Sequence, residues 1–127
     1  PVVLAGLDLT HQALVTPARI AALRRLGGGR CLTVACDILA SVPPSARDAG
    51  LGSALHDPCA IAWLLAPDLF TARDCAVEVD LGVGPSRGRT LVDRWGRTGK
   101  PANATVLETI DADGFFALLG ENLARLP

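Results

Sequence analysis

PVVLAGLDLTH, residues 1–11, is the stretch on which the fold turns. Val2 to Leu7 is β-branched at its start and apolar at both adjacent and alternate positions, so it reads as a strand with two apolar faces, ending near Asp8. Strands of that kind belong inside a parallel sheet covered by helices. The expected class is therefore α/β, part of an open, mainly parallel sheet flanked by helices. Partner strands for such a segment would have to lie upstream. The chain also contains no methionine, so residues 1–127 read as a single domain that is the C-terminal part of a longer one. Asp8, Thr10 and His11 fall at the C-terminal end of the strand, the edge where ligands collect in open α/β sheets. The same residue types also serve turns and caps, and that structural role is the one assigned to Asp8 and His11.

Downstream, TPARIAALRRLGGG (16–29) offers Thr16 as N-cap, Pro17 at the first helical position and a glycine run as terminator. CLTVACDILAS (31–41) continues as a second helix with Leu32, Ala35, Cys36 and Leu39 at helical spacing. Residues 43–53 are rich in Pro, Gly, Ser and Ala and carry Arg47 and Asp48 in an expected surface loop, a connector or a binding loop. CAVEVDLGV (75–83) and RTLVDRW (89–95), joined by the turn GPSRG, predict a β-hairpin. Ala104 to Ile110 predicts a short strand, after which Asp111 or Asp113 caps a final amphipathic helix through Phe115, Phe116, Leu118, Leu119, Leu123 and Leu126. The glycines at 27–29 and in GVGPSRG lack the strand–loop–helix context of a phosphate-binding loop.

Composition narrows the partners. Thirteen acids against twelve bases give no field that would attract nucleic acid or an anionic membrane. The apolar run Cys59–Ala66 is far short of the roughly 20 residues of a membrane-spanning helix. PVVLAGLDLTHQ has no basic lead or cleavage site of a secretory signal. The four cysteines (Cys31, Cys36, Cys59 and Cys75) form no CxxC pair, and only two histidines accompany them, which is no zinc framework. Buried free thiols in a reducing cytoplasm are the expectation.

The chemistry gathers in GSALHDPCAIAWLLAPDLF (52–70), where two ionisable side chains introduce an apolar run. Asp57 before Pro58 reads as a helix N-cap. Capping does not exhaust it, because a carboxylate has about four lone-pair sites and can also bind a cation or a sugar hydroxyl. His56 stands beside the positive end of that helix, which disfavours its protonated form, while Asp57 favours it. A histidine so balanced can exchange protons near neutral pH, or it can simply satisfy a turn.

Four blocks in order, LDLTHQALVTPARIAAL (7–23), LHDPCAIAWLLAPDLF (55–70), SRGRTLVDRWGR (86–97) and PANATVLETIDADGFFALL (101–119), resemble the C-terminal portion of the inosine-uridine-preferring nucleoside hydrolases. The resemblance implies a Rossmann-like α/β core and hydrolysis of the N-glycosidic bond of purine or pyrimidine ribonucleosides to ribose and base. It further implies one calcium ion that holds the ribose hydroxyls and the attacking water, a salvage role in the cytoplasm, and a homodimer or homotetramer. Carried over by position, His56 matches the histidine that, in members acting on purines, protonates the leaving base. Asp57 matches a calcium-binding aspartate that also faces the substrate ribose.

The family's aspartate-rich DxDxGxDD motif has no counterpart in residues 1–127, nor have its ribose-gripping asparagine and glutamate. Calcium takes six to eight oxygen ligands, so Asp57 alone cannot retain it, and this stretch by itself is expected to be inactive. The aromatics that often build the base pocket are missing from residues 37–55, which leaves base preference open. A metal-dependent phosphohydrolase of the HD class is opposed by Pro58 and by the strand pattern. The remaining alternative is a non-catalytic relic acting as a structural module.

Overall fold

The structure, a computed structural model, describes residues 2–43 and 52–127. Its elements run β1 (Val2–Leu4), α1 (Leu7–Thr10), β2 (Leu14–Val15), α2 (Pro17–Arg25), α3 (Arg30–Ser41), β3 (Ser53–Ala54), α4 (Asp57–Leu65), β4 (Phe70–Val79), β5 (Thr90–Asp93), β6 (Ala104–Ile110) and α5 (Ala112–Ala124). The class is mixed α/β. The main sheet has the order β1-β6-β4-β5, and a separate two-stranded ladder pairs β2 with β3. Among the described residues the parallel component of the main sheet is the β1–β6 pairing, Val2 against Ala104 through Leu4 against Val106, while β4 runs antiparallel to both β6 and β5. The expected hairpin is present as β4 and β5, with Ala76 opposite Asp93 and Val79 opposite Thr90.

One reading of the opening stretch is corrected. The strand stops at Leu4 rather than Leu7, because Gly6 offers its carbonyl to the amides of Leu9 and Thr10 at 3.1 and 3.0 Å and the chain turns into α1. Among the described residues β1 pairs with β6 on one side, and Val2 and Val3 are exposed.

The helices pack as their caps and apolar stripes dictate. Thr16 accepts a hydrogen bond from the Arg19 amide at 3.2 Å and Pro17 opens α2, as its sequence predicts. For α5 the cap is Asp111, which accepts from the Gly114 amide at 3.1 Å. Leu23, Leu32, Cys36, Phe115 and Phe116 from the helices meet Phe70, Leu107 and Ile110 from the sheet in one continuous core. The Arg19 guanidinium lies over the Phe116 ring at 4.8 Å, and Trp63 meets Phe70 edge to face. All four cysteines are free thiols, three of them buried. No helix among the described residues is long and apolar enough to cross a membrane. The loop expected over 43–53, with Arg47 and Asp48, falls almost wholly outside the described residues.

One glycine is fixed by geometry. Gly52 has φ +142°, and a Cβ added there would lie 2.3 Å from the Val15 carbonyl oxygen. Gly52→Ala should therefore cost the whole protein more than ~2 kcal/mol in urea unfolding, since both strain and a backbone clash oppose it. Gly27→Ala, at φ +65° with open space around it, should cost only about 1 kcal/mol. Equal midpoints for the two variants would contradict the close approach.

Asp93, at the end of β5, accepts from the Thr98 hydroxyl and from the amides of Thr98 and Arg97, and these bonds hold its carboxyl down to about 2. A depressed folded-state value contributes stability above the ordinary aspartate range of about 4, which is lost as pH falls through about 2. The difference in urea midpoint between wild type and Asp93→Asn should therefore shrink steadily from pH 4 to pH 2. A constant difference would refute the loop's dependence on that charge.

Candidate functional site

The site is set down by the small ladder rather than by the main sheet. After residue 52 the chain returns as β3, which pairs antiparallel with β2 through Leu14 opposite Ala54 and Val15 opposite Ser53. The Leu55 amide extends the ladder by donating to the Ala13 carbonyl at 3.0 Å. One residue beyond Leu55 stands His56, and three residues before Ala13 stands Thr10. The ladder thus brings together residues 46 positions apart, and Thr10 Oγ1 lies 2.8 Å from His56 Nδ1. Thr10 is 3% exposed, the one buried polar side chain among the described residues. The His11 ring meets the His56 ring edge on, with centroids 5.4 Å apart.

The α1 turn that carries Thr10 is held from its other side by Gln12. Its side-chain amide donates to the carbonyls of Asp8 and Glu108 at 3.0 Å each, and its oxygen accepts from the Ile110 amide at 3.4 Å. Nearby, Glu108 accepts from Arg73 and Arg94, which hold its carboxyl below the ordinary range. Neither Thr10 nor Gln12 stands out in the sequence as a functional residue. Only the tertiary pairing of residues 13–15 with 53–55 reveals what they touch.

Asp57 departs from its predicted role. It is the first residue of α4, with Pro58 next, and the preceding His56 already has helical angles of φ −80° and ψ −64°. An N-cap needs an extended backbone, which neither residue has, so the helix starts without a side-chain cap. Among the described residues the exposed Asp57 carboxylate accepts no hydrogen bond, and it lies at the positive end of α4, where its charge is favoured. Such a carboxylate fits one oxygen position around a hard cation. It cannot complete a site, because no group of three or more His, Cys, Asp or Glu among the described residues could hold a metal.

The apolar run behind the pair is less buried than its composition suggests. Cys59 and Ala62 are in the core, whereas Ile61, Leu64 and Leu65 are exposed. A groove of about 330 Å³ between α4 and α5 is lined by Pro58, Ile61, Leu65, Phe115 and Leu118, with Asp57 and Asn122 as its polar members among the described residues. Two polar side chains do not make the hydrogen-bonding array that a sugar requires, so the groove is no ribose site in itself.

Cys59 is excluded as a nucleophile. Its thiol donates to the Leu55 carbonyl at 3.1 Å, and burial pushes it up to about 11. Nucleophilic cysteines need the thiolate. At pH 7.5, carboxamidomethylation of Cys59 should be about 100-fold slower in the native whole protein than in urea. Equal rates, read by peptide mass spectrometry, would overturn that assignment.

With the geometry in place, similarity to known proteins can be weighed. Residues 1–117 match the family model described as "Inosine-uridine preferring nucleoside hydrolase". The chain is 42% identical over 126 residues to a pyrimidine-specific ribonucleoside hydrolase RihA of Shewanella sp. strain ANA-3, covering 98% of this chain and 40% of that protein. It is 40% identical over 127 residues to the RihA of Enterobacter sp. strain 638, covering 98% and 41% respectively. Among solved structures, a purine-preferring ribonucleoside hydrolase from Gardnerella vaginalis superposes with a TM-score of 0.76 at 28% identity, over 100% of this chain and 42% of that one. The inosine-uridine preferring nucleoside hydrolase of Bacillus anthracis, at 24% identity and a TM-score of 0.72, covers 97% of this chain and 36% of its own and shares the fold. The chain thus spans about two-fifths of the length of the curated relatives it matches.

Proposed function

The chain belongs to the inosine-uridine preferring nucleoside hydrolase family, and from that membership we propose that the whole protein hydrolyses the N-glycosidic bond of ribonucleosides, releasing ribose and free base. The observation that carries this reading is the exposed pair His56-Asp57 at the start of α4, with the histidine held at one ring nitrogen by buried Thr10. A ring fixed at Nδ1 has Nε2 left for exchange with a substrate. His56 is the acid: as the bond from ribose to base breaks, the electron pair stays on the base nitrogen, and a proton from Nε2 neutralises it. Water completes the reaction by adding its hydroxyl to the sugar carbon and giving up a proton.

Asp57 is one ligand of a calcium ion, which when bound supplies positive charge for the ribose hydroxyls and the attacking water. Its exposed position at the N-terminus of α4, with no hydrogen bond to its carboxylate among the described residues, supports that role. Similarity to relatives named pyrimidine-specific favours uridine and cytidine as substrates, with inosine as the comparison. Homodimeric or homotetrameric assembly, a cytoplasmic location and a part in nucleoside salvage go with the same reading.

Reducing-sugar release from uridine, cytidine and inosine, with and without a chelator, tests the activity on the whole protein. His56→Ala should lower kcat about 100-fold or more and leave KM within a few-fold. An unchanged kcat on every nucleoside would remove the acid role. Asp57→Asn should weaken calcium binding by isothermal titration and raise KM together, and an unaltered calcium isotherm would contradict the ligand assignment.

A further inference from the structure

We propose that Thr10 is a positioning residue for His56, accepting a hydrogen bond from Nδ1–H and so fixing the plane and the tautomer of the ring. The inference rests on the acid role of His56 given above. Three observations carry it. The Oγ1 to Nδ1 distance of 2.8 Å is that of a good hydrogen bond. Thr10 is 3% exposed, so bulk water does not compete for its oxygen. Both partners are fixed from behind, Thr10 through the Gln12 bonds to Asp8, Glu108 and Ile110, and His56 through the Leu55 to Ala13 bond next to it.

The direction of the bond follows from the chemistry. An imidazolium that gives its Nε2 proton to a departing base keeps the other on Nδ1, and that nitrogen then needs an acceptor. A threonine hydroxyl has two lone pairs and can accept before and after the transfer. In water the Nε2–H form of neutral histidine is the commoner one, so an Nδ1–H form in the protein is a distinctive sign. The hydroxyl also sets the ring plane, since a planar imidazole bonded at Nδ1 and joined to a helix start has little rotation left. Positioning of this kind acts on turnover more than on binding.

The test uses the whole protein with 15N-labelled histidine, read by long-range 15N–1H correlation at a pH where the ring is neutral, together with ribonucleoside kinetics. His56 should be Nδ1–H in wild type and in Thr10→Ser, and should move toward Nε2–H in Thr10→Val. Thr10→Val should lower kcat about 10- to 100-fold with KM within about two-fold, and Thr10→Ser should restore it to within about three-fold of wild type. On a His56→Ala background Thr10→Val should cost nothing further. A wild-type ring in the Nε2–H form overturns the proposal, and so does a Thr10→Val protein with the wild-type tautomer or an equal loss on the His56→Ala background. If Thr10→Val does not fold, the wild-type and Thr10→Ser spectra decide alone. Should His56→Ala keep full turnover, the acid reading falls, while the tautomer still decides whether Thr10 orients the ring.

Discussion

Everything at the candidate site hangs on a ladder only a few residues long. The pairing of Leu14 and Val15 with Ala54 and Ser53, lengthened by the bond from Leu55 to Ala13, returns the chain from α3 to the neighbourhood of its opening residues. Gly52 permits that return, because the backbone there passes too close to the Val15 carbonyl for any side chain. His56 and Asp57 follow directly from the ladder's end, so their placement is decided before α4 begins. The helix then anchors them through Cys59 and Ala62, which are among its few buried positions.

Much of this organisation can be read from residues 1–127 directly. Thr16 with Pro17, Asp111 before the last helix, and the two runs flanking GPSRG carry local instructions, and local instructions survive in the fold. The span of β6 is legible for the same reason. What could not be read is tertiary. Residues 5–7 look like the end of a strand because Ala5 and Leu7 are apolar, yet Gly6 and the burial of Leu9 turn the chain into α1. Asp57 looks like a cap because aspartate before proline usually is one, but the helix starts one residue early on a histidine already in helical geometry. Thr10 reads in the sequence as an ordinary turn residue beside Asp8 and His11, and its contact lies 46 residues away, beyond the reach of any periodicity.

The exposed apolar residues divide the molecule unevenly. Val2, Val3 and Leu7 at the start of the chain, and Ile61, Leu64 and Leu65 on α4, are large side chains that a self-sufficient domain would cover. They accompany a sheet with β1 at one edge and a chain that spans about two-fifths of its curated relatives. Polar pairs lie both on the sheet, where Glu108 takes Arg73 and Arg94 and Thr71 meets Thr109, and between helices, where Arg19 meets Asp113 and Arg24 meets Asp37. His56 and Asp57 sit where α1 meets the start of α4.

The parallel pairing of β1 with β6 has a consequence in time. Residues 2–4 meet residues 104–106, so this pairing closes across about a hundred residues and belongs to the slow, non-local part of folding. The Gln12 side chain has the same appointment, because two of its three bonds are to Glu108 and Ile110 of β6. The turn that carries Thr10 therefore becomes rigid only once β6 is in place. The setting of the His56 ring depends on a distant strand as well as on the folding of its own helix.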